Sequence, residues 1–454
     1  MSKLSKFKEY VINNSEKIKI SSKDIKKGDI FLALKGSKLH GNNFIDSAIN
    51  KGAKYCLTDK NEYYLNSKII VVSNIYNFLK ELVIIKRNLY KGKVIGITGS
   101  AGKTTLKETL AFFLKKNHSI SYSKKSYNNE LGIFISILNL NLNASFAIFE
   151  IGTNNFGEIK NLTKIVEPSE IFITNIQSTH LENFQTKNNI AREKSDIFLF
   201  KNNTKRTKLY LNVENVAEKI IFNKATKEKN LKIIEINKFS KKYFIKNILS
   251  KKNNFKILFT INDKLTSIET KTLIKFRLMN LLFCYAFFHQ NFLDINIISK
   301  YVKYLKPFEG RGLEHLIEIN NKKIRFIDES YNANPDTMHQ SILYFSRIKK
   351  NSNKKILILG NMNELGKHSI KIHTNLLYEI DKYRFKIIIL CGEFFRRSVK
   401  KLSKPQNEFK YINNKNSIMQ FLHKNIHNDD IILIKCSNST EINLFAKSLL
   451  KKVI

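Results

Sequence analysis

With 454 residues, 43% of them apolar, the chain exceeds what a single hydrophobic core organises, so a folded protein of two or three domains is expected. Lys and Arg outnumber Asp and Glu by 79 to 38, for a formal net charge of +41. The lysines are spread along the whole chain together with Asn, Ile, Phe and Tyr; this reads as A/T-driven composition and predicts no specific nucleic-acid partner. The longest apolar stretch, 278–288, is too short to cross a bilayer and the N-terminus lacks a signal-peptide core, so a cytoplasmic protein without membrane association is expected. Cys56, Cys284, Cys391 and Cys436 have no metal-site spacing and are expected as reduced, buried thiols.

In chain order, "KGDIFLALKGSKLHGNNF" (27–44) alternates short β-type runs with glycine turns, and a small α/β domain is predicted over 1–88. "KVIGITGS" (93–100) reads as a buried strand entering a glycine turn, and "KTTLKETLAFFLKK" (103–116) has apolar residues at helical spacing. Further strands at 146–152 and 169–176, with helix-like segments between, predict a central P-loop ATPase-like domain over 89–306 with a largely parallel sheet. A helix-like stretch over 275–306 ends at Pro307, and 307–312 reads as a linker. Apolar strands at 355–362, 385–393 and 430–438, separated by helical patterns, predict a Rossmann-like third domain over 307–454. The fold class is therefore α/β in three domains.

"TGSAGKTT" (98–105) is nearly a phosphate-binding loop, but the position that the full G-x-x-x-x-G-K-[ST] pattern reserves for its first glycine is Ile97. Gly99 and Gly102 allow the backbone of Gly99, Ser100, Ala101 and Gly102 to approach phosphate oxygens at a helix start. Lys103 supplies a point charge, and Thr104, followed by Thr105, offers a hydroxyl to Mg²⁺. A carboxylate at the end of a neighbouring strand completes such a site. Glu150 fits that place, whereas Glu158 follows the turn at Gly157 and reads as a helix-start residue. His180 follows the next strand, at the carboxyl end where α/β sheets bind ligands.

These segments occur in the order seen in the Mur ligases: "TGSAGKTT", "NNELGI" (128–133), "EIGTNNFGEI" (150–159), "NIQSTHLENF" (175–184), "AREKSDIF" (191–198), "GRG" (310–312), "DESYNANPDTM" (328–338) and "LGNMNELG" (359–366). The chain resembles that family over nearly its whole length, and most closely the members that join D-alanyl-D-alanine to UDP-N-acetylmuramoyl-tripeptide. That family's loop is T-G-x-x-G-K-T-T, which accounts for Ile97. The resemblance implies an ATP-dependent amide ligase working through an acyl phosphate, cytoplasmic and monomeric. Thr104, Glu150, His180 and a carbamylated Lys194 would hold Mg²⁺, expected as two ions. Lys103, His180 and Lys194 would serve catalysis. Arg311, Asn332 and Asn334 would contact ATP alongside the loop, and Ser22, Asn128, Asn129 and Asp336 the other substrates.

Several family segments are altered. Ser21-Ser22-Lys23 stands where Asp-Ser-Arg is usual, and His40-Gly41-Asn42 where D-G-H is usual. The hinge segment G-R-H-N-x-x-N keeps Asn280 but has Phe276 and Arg277 for His and Asn, and K-G-S-R reads Lys435-Cys436-Ser437-Asn438. These changes bear on uridine and base contacts more than on phosphate chemistry. The alternatives are another Mur ligase or folylpolyglutamate synthase-like enzyme, and, from a different class, a basic P-loop ATPase acting on nucleic acid.

Overall fold

The computed structural model describes residues 2–453 apart from 37–38, 64–65, 124, 200–205, 238–239, 251–253, 271–274 and 349–353. Among the described residues the strands form four sheets. The first is parallel, in the order Ile18–Lys19, Ile30–Leu32, Tyr55–Thr58 and Ile69–Val71. Its side chains alternate between two cores: Leu32 and Leu57 pack with Phe7 and Leu82, while Phe31 and Cys56 pack with Ile45 and Ala48. The helix Ile75–Leu89 leads out of this layer into the same core as Ile133 and Phe134 of the next one.

The second sheet carries the phosphate-loop motif. Its six strands are all parallel, in the spatial order Leu231–Glu235, Thr207–Leu211, Glu170–Ile173, Lys93–Thr98, Phe146–Glu150 and Ile120–Tyr122. Both faces are covered, so its central strands are continuous apolar runs: every residue of Phe146–Glu150 is buried. Ala147, Phe149 and Ile171 face the helices Glu130–Leu138 and Glu158–Val166, while Ile95, Ile148 and Phe172 face Lys103–Leu114 and Lys275–Gln290.

Two features depart from the sequence expectation. The segment 275–306 is not one helix. It divides into Lys275–Gln290, Asn296–Tyr301 and a short turn, because Phe292 adopts φ 56° and the Asp294 side chain turns the chain by accepting the Asn296 N–H at 3.0 Å. Before it, Tyr243–Ser250, Phe255–Ile261 and Lys264–Thr270 make a three-stranded antiparallel sheet that the strand reading passed over. Asn262 (φ 47°) and Asp263 (φ 69°) form its second turn, where two residues of positive φ match the twist of a tight hairpin.

The last sheet runs Leu313–Ile319, Lys322–Glu329, Ile431–Lys435, Lys355–Gly360, Ile387–Cys391 and Phe409–Tyr411; the first pair is antiparallel and the rest parallel. The Rossmann-like reading therefore gains a hairpin edge, turned at Asn320 and Asn321, both of positive φ. The 307–312 segment is stitched down: Asp328 Oδ2 accepts the Gly310 N–H at 3.1 Å and Asp328 O that of Gly312 at 2.6 Å. Glu150, Glu329 and Lys435 each end a strand and line one cavity, so the carboxyl ends of parallel strands from two sheets converge there. No helix among the described residues is long and apolar enough to cross a membrane.

Candidate functional site

The cavity is built around the start of the helix Lys103–Leu114. Gly102 precedes that helix at φ 82° and provides no side-chain cap, so the unpaired first-turn N–H groups stay available to an anion. Gly99 adopts φ 138°, and a Cβ there would overlap Thr174 Oγ1. The loop is held from the neighbouring strand end: Asn175 O accepts the Ser100 N–H at 2.9 Å, Asn175 Oδ1 accepts the Ala101 N–H at 3.0 Å, and Ser100 Oγ accepts the Gln177 N–H at 2.9 Å. Its shape is thus fixed before a ligand arrives.

The Thr104 hydroxyl is the hub. It donates to Glu150 Oε2 at 2.7 Å, lies 3.0 Å from Ser126 Oγ and accepts from Arg311 Nη2 at 2.9 Å. Asn128 Nδ2 donates to the other Glu150 oxygen at 3.2 Å. Lys103 Nζ donates to Gly99 O at 2.8 Å; burial and nearby Arg311 push its pKa down, opposed by Glu150. Arg311 also stacks on Tyr331, 4.2 Å from the ring centroid. Behind it Lys435 Nζ pairs with Glu329 Oε2 at 2.8 Å, both groups buried. Burial pushes the Glu329 carboxyl up, but Lys435, Ser341 and Arg277 outweigh it and hold the pKa below the usual range.

Lys194 is 1% exposed, and no hydrogen bond or ion pair to its amine occurs among the described residues. Burial first, then the Lys103 charge, lower its pKa well below the ordinary lysine value, with Glu193 opposing. Glu193 is itself committed to the start of the helix Glu158–Val166, accepting the N–H groups of Gly157 at 2.8 Å and Ile159 at 2.9 Å. Among the described residues no group of three His, Cys, Asp or Glu side chains forms a ready-made metal set. The hard oxygens of Thr104 and Glu150 nevertheless suit Mg²⁺, which takes its remaining ligands from water and phosphate.

Comparison with known proteins decides the family. The model of the Mur ligase middle domain matches residues 97–288, that of the Mur ligase family catalytic domain 15–89, and that of the Mur ligase glutamate ligase domain 315–438. The UDP-N-acetylmuramoyl-tripeptide–D-alanyl-D-alanine ligase of Rickettsia prowazekii (strain Madrid E) is 31% identical over 436 residues, 95% of this chain and 94% of the relative. The chain belongs to the Mur ligase family. Its fold is that of solved MurF structures. That from Acinetobacter baumannii aligns with a TM-score of 0.78 at 23% identity, covering 96% of this chain and 93% of the other. MurF ligase from Thermotoga maritima, solved in complex with ADP, aligns at 0.76 and 23% identity, over 98% and 99%.

Seen as a Mur ligase, the chain gathers some of its candidate residues and separates others. Ser100, Ala101, Gly102, Lys103, Thr104, Thr105, Asn128, Glu150, Arg311 and Asn332 all line the one cavity. Asn334 instead caps the helix Pro335–Arg347, accepting the Thr337 N–H at 2.8 Å, and its amide donates to Gln177 Oε1 at 3.2 Å across the domain boundary. Asp336 makes a second cross-boundary link, accepting the Ser178 N–H at 3.2 Å, with Lys187 at 3.6 Å. His180, at φ 51°, is not among the residues lining the cavity; its Nδ1 lies 2.6 Å from Glu364 Oε2, which it holds below the usual carboxylate range. Asn129 caps the helix Glu130–Leu138 through the Gly132 N–H at 2.9 Å. Ser22 sits in a short turn of the first domain, where its carbonyl accepts Lys51 Nζ at 3.0 Å.

Ser126, Glu329, Tyr331 and Lys435 line the cavity but were not singled out as site residues from sequence. Glu329 and Lys435 were readable in principle, because each ends an apolar strand at the carboxyl edge. Ser126, in the irregular stretch before the helix Glu130–Leu138, carries no such signal. A groove beside the cavity, lined by Thr105, Asn280, Leu278, Leu305, Pro307 and Phe308, continues from the loop toward the three-stranded sheet.

Proposed function

We propose that this chain is the ATP-dependent ligase that joins D-alanyl-D-alanine to UDP-N-acetylmuramoyl-tripeptide in peptidoglycan precursor synthesis. The observation that carries the reading is the 31% identity to the R. prowazekii ligase over 95% of this chain, with the loop, Glu150 and Arg311 meeting in one cavity. Residues 1–88 would bind the uridine end, 89–306 ATP, and 307–454 the incoming dipeptide.

The chemistry follows from what a carboxylate lacks. It is a poor electrophile, so one of its oxygens attacks the γ-phosphorus of ATP and ADP leaves. The amine of D-alanyl-D-alanine then attacks the acyl carbon, phosphate departs, and the ammonium proton is released. The protein's task is positioning and charge neutralisation. The loop N–H groups and Lys103 would hold the phosphates, and the neighbouring groove a base and ribose. Arg311 would exchange the Thr104 hydroxyl for a phosphate oxygen, freeing Thr104 and Glu150 for Mg²⁺, the Lewis acid that neutralises the transferring group. Lys194, whose environment favours the neutral amine, is suited to carbamylation, and the resulting anion together with His180 would hold a second Mg²⁺. His180 would first have to leave Glu364.

The test is phosphate release by the purified protein with ATP, Mg²⁺, D-alanyl-D-alanine and UDP-muramoyl-tripeptide, carrying diaminopimelate or lysine as third residue. Release should require every component and yield the UDP-muramoyl-pentapeptide by mass spectrometry. Release stimulated by DNA or RNA alone, or indifferent to the dipeptide, would refute the reading.

A further inference from the structure

Arg277 opens the helix Lys275–Gln290 on the central domain, yet its contacts lie on the segment entering the C-terminal domain. Its Nη2 donates to the Arg311 carbonyl oxygen at 2.9 Å and lies 3.5 Å from that of Gly312. The approach is so close that a Cβ at Gly312, which adopts φ 84°, would overlap Arg277 Nη2 and lie 3.1 Å from Glu329 Oε1. Arg277 is attracted to Glu329, and Glu329 is paired with Lys435 at 2.8 Å. One guanidinium therefore ties a central-domain helix to the main chain of Arg311, within the field of the buried Glu329 carboxylate.

We propose that Arg277 is a positioning residue: by gripping the Arg311 carbonyl it aims the Arg311 side chain across the domain boundary at the phosphate loop. The side chain of Arg311 is long and would otherwise search many rotamers, and among the described residues its end is held by one hydrogen bond, to Thr104 Oγ1 at 2.9 Å, and by the Tyr331 face. Fixing its backbone from one side while Tyr331 guides it from the other removes most of that freedom. Lysine could reach the carbonyl but lacks the rigid planar fork that fixes the direction of a guanidinium. The Asn usual at this place in the family pattern is shorter still and carries no charge.

The proposal rests on the ATP-binding reading of the cavity, and binding of Mg²⁺-ATPγS, measured apart from turnover, tests it by a double-mutant cycle. If Arg277 acts through Arg311, R277M weakens binding about tenfold, as loss of a charged hydrogen bond does. R311M weakens it more, and the double variant matches R311M within about twofold instead of multiplying the two losses. R277K should fall between wild type and R277M. Multiplicative losses, or an R277M variant that binds normally, would overturn the proposal. If R277M does not fold, judged by circular dichroism, R277K and R277Q complete the cycle with R311M. Wild-type protein that binds the nucleotide but forms no pentapeptide would sink the ligase reading and leave this cycle interpretable.

Discussion

At the scale of single residues, Lys194 is the group whose surroundings are hardest to explain by stability. A long buried amine with no hydrogen bond or ion pair among the described residues costs free energy, and the attraction of nearby Glu193 is outweighed by burial and by the Lys103 charge. Such a place disfavours the ammonium and favours the free amine, the form that reacts with CO₂. In wild-type protein with ¹³C-bicarbonate, a carbamate carbon signal should appear by NMR and be absent from Lys194→Ala. That variant should keep its circular dichroism spectrum and lose ligase activity by about 10²–10³-fold, the scale of one electrostatic group in a transition state. Excess bicarbonate should partly restore turnover. Full activity without rescue, or an unchanged carbon signal, would remove the carbamate. In sequence Lys194 was one lysine among many, and only the resemblance singled it out; its burial is a tertiary fact that no local pattern encodes.

At the scale of elements, the loop between Lys93–Thr98 and Lys103–Leu114 depends on Gly99 in a way the motif announces and the geometry explains. A methyl group there meets Thr174 Oγ1, and φ 138° is strained for any L side chain. Gly99→Ala should cost about 1–3 kcal/mol in urea unfolding and weaken Mg²⁺-ATPγS binding more than tenfold by calorimetry. Parent-like affinity would show that the loop is not a pre-shaped cradle. The strand, glycine turn and helix were all legible because a continuous apolar run and a 3.6-residue period bracket two glycines. The hairpins at Asn262-Asp263 and Asn320-Asn321 were less so: their turns lack glycine, and both sit in lysine-rich segments where alternation is blurred.

A second element-scale contact joins two domains through one ammonium. Lys86 Nζ donates to the carbonyl oxygens of Val11 at 2.8 Å, Asn14 at 2.6 Å and Leu138 at 2.7 Å, so it closes the C-terminal ends of the helices Lys3–Asn13 and Glu130–Leu138. Burial lowers its pKa to about 8. From pH 8 up to the ordinary lysine value the unfolded chain holds a proton that the folded chain has released. Stability contributed by this site therefore rises with pH across that window, by up to about 1.4 kcal/mol per unit. Urea midpoints from pH 7.5 to 9.5 should show that slope in wild type and a flatter one in Lys86→Met; equal slopes would place the titration elsewhere.

At the scale of the whole molecule, the positive charge has to be reconciled with a site whose acids are few and buried. Glu150, Glu193 and Glu329 are each engaged by hydrogen bonds or an ion pair, whereas the 79 Lys and Arg residues are distributed through all three regions. With a formal net charge of +41 the chain as a whole carries a positive field, and both proposed nucleotide substrates are polyanions. Such a field raises encounter rates without touching the chemical step, and salt screens it with a Debye length of about 8 Å at 0.15 M. The KM for UDP-muramoyl-tripeptide should accordingly rise several-fold between 50 and 300 mM KCl while kcat holds, about the expected sensitivity of a steered anionic ligand. The same surface will bind duplex DNA at low salt and release it as salt rises. Bound DNA should compete with the uridine substrate, raising its KM, and should never substitute for it in phosphate release. A salt-indifferent KM would mean that the charge is compositional drift with no bearing on catalysis, and phosphate release driven by DNA would mean that the polyanion this surface serves is a different one.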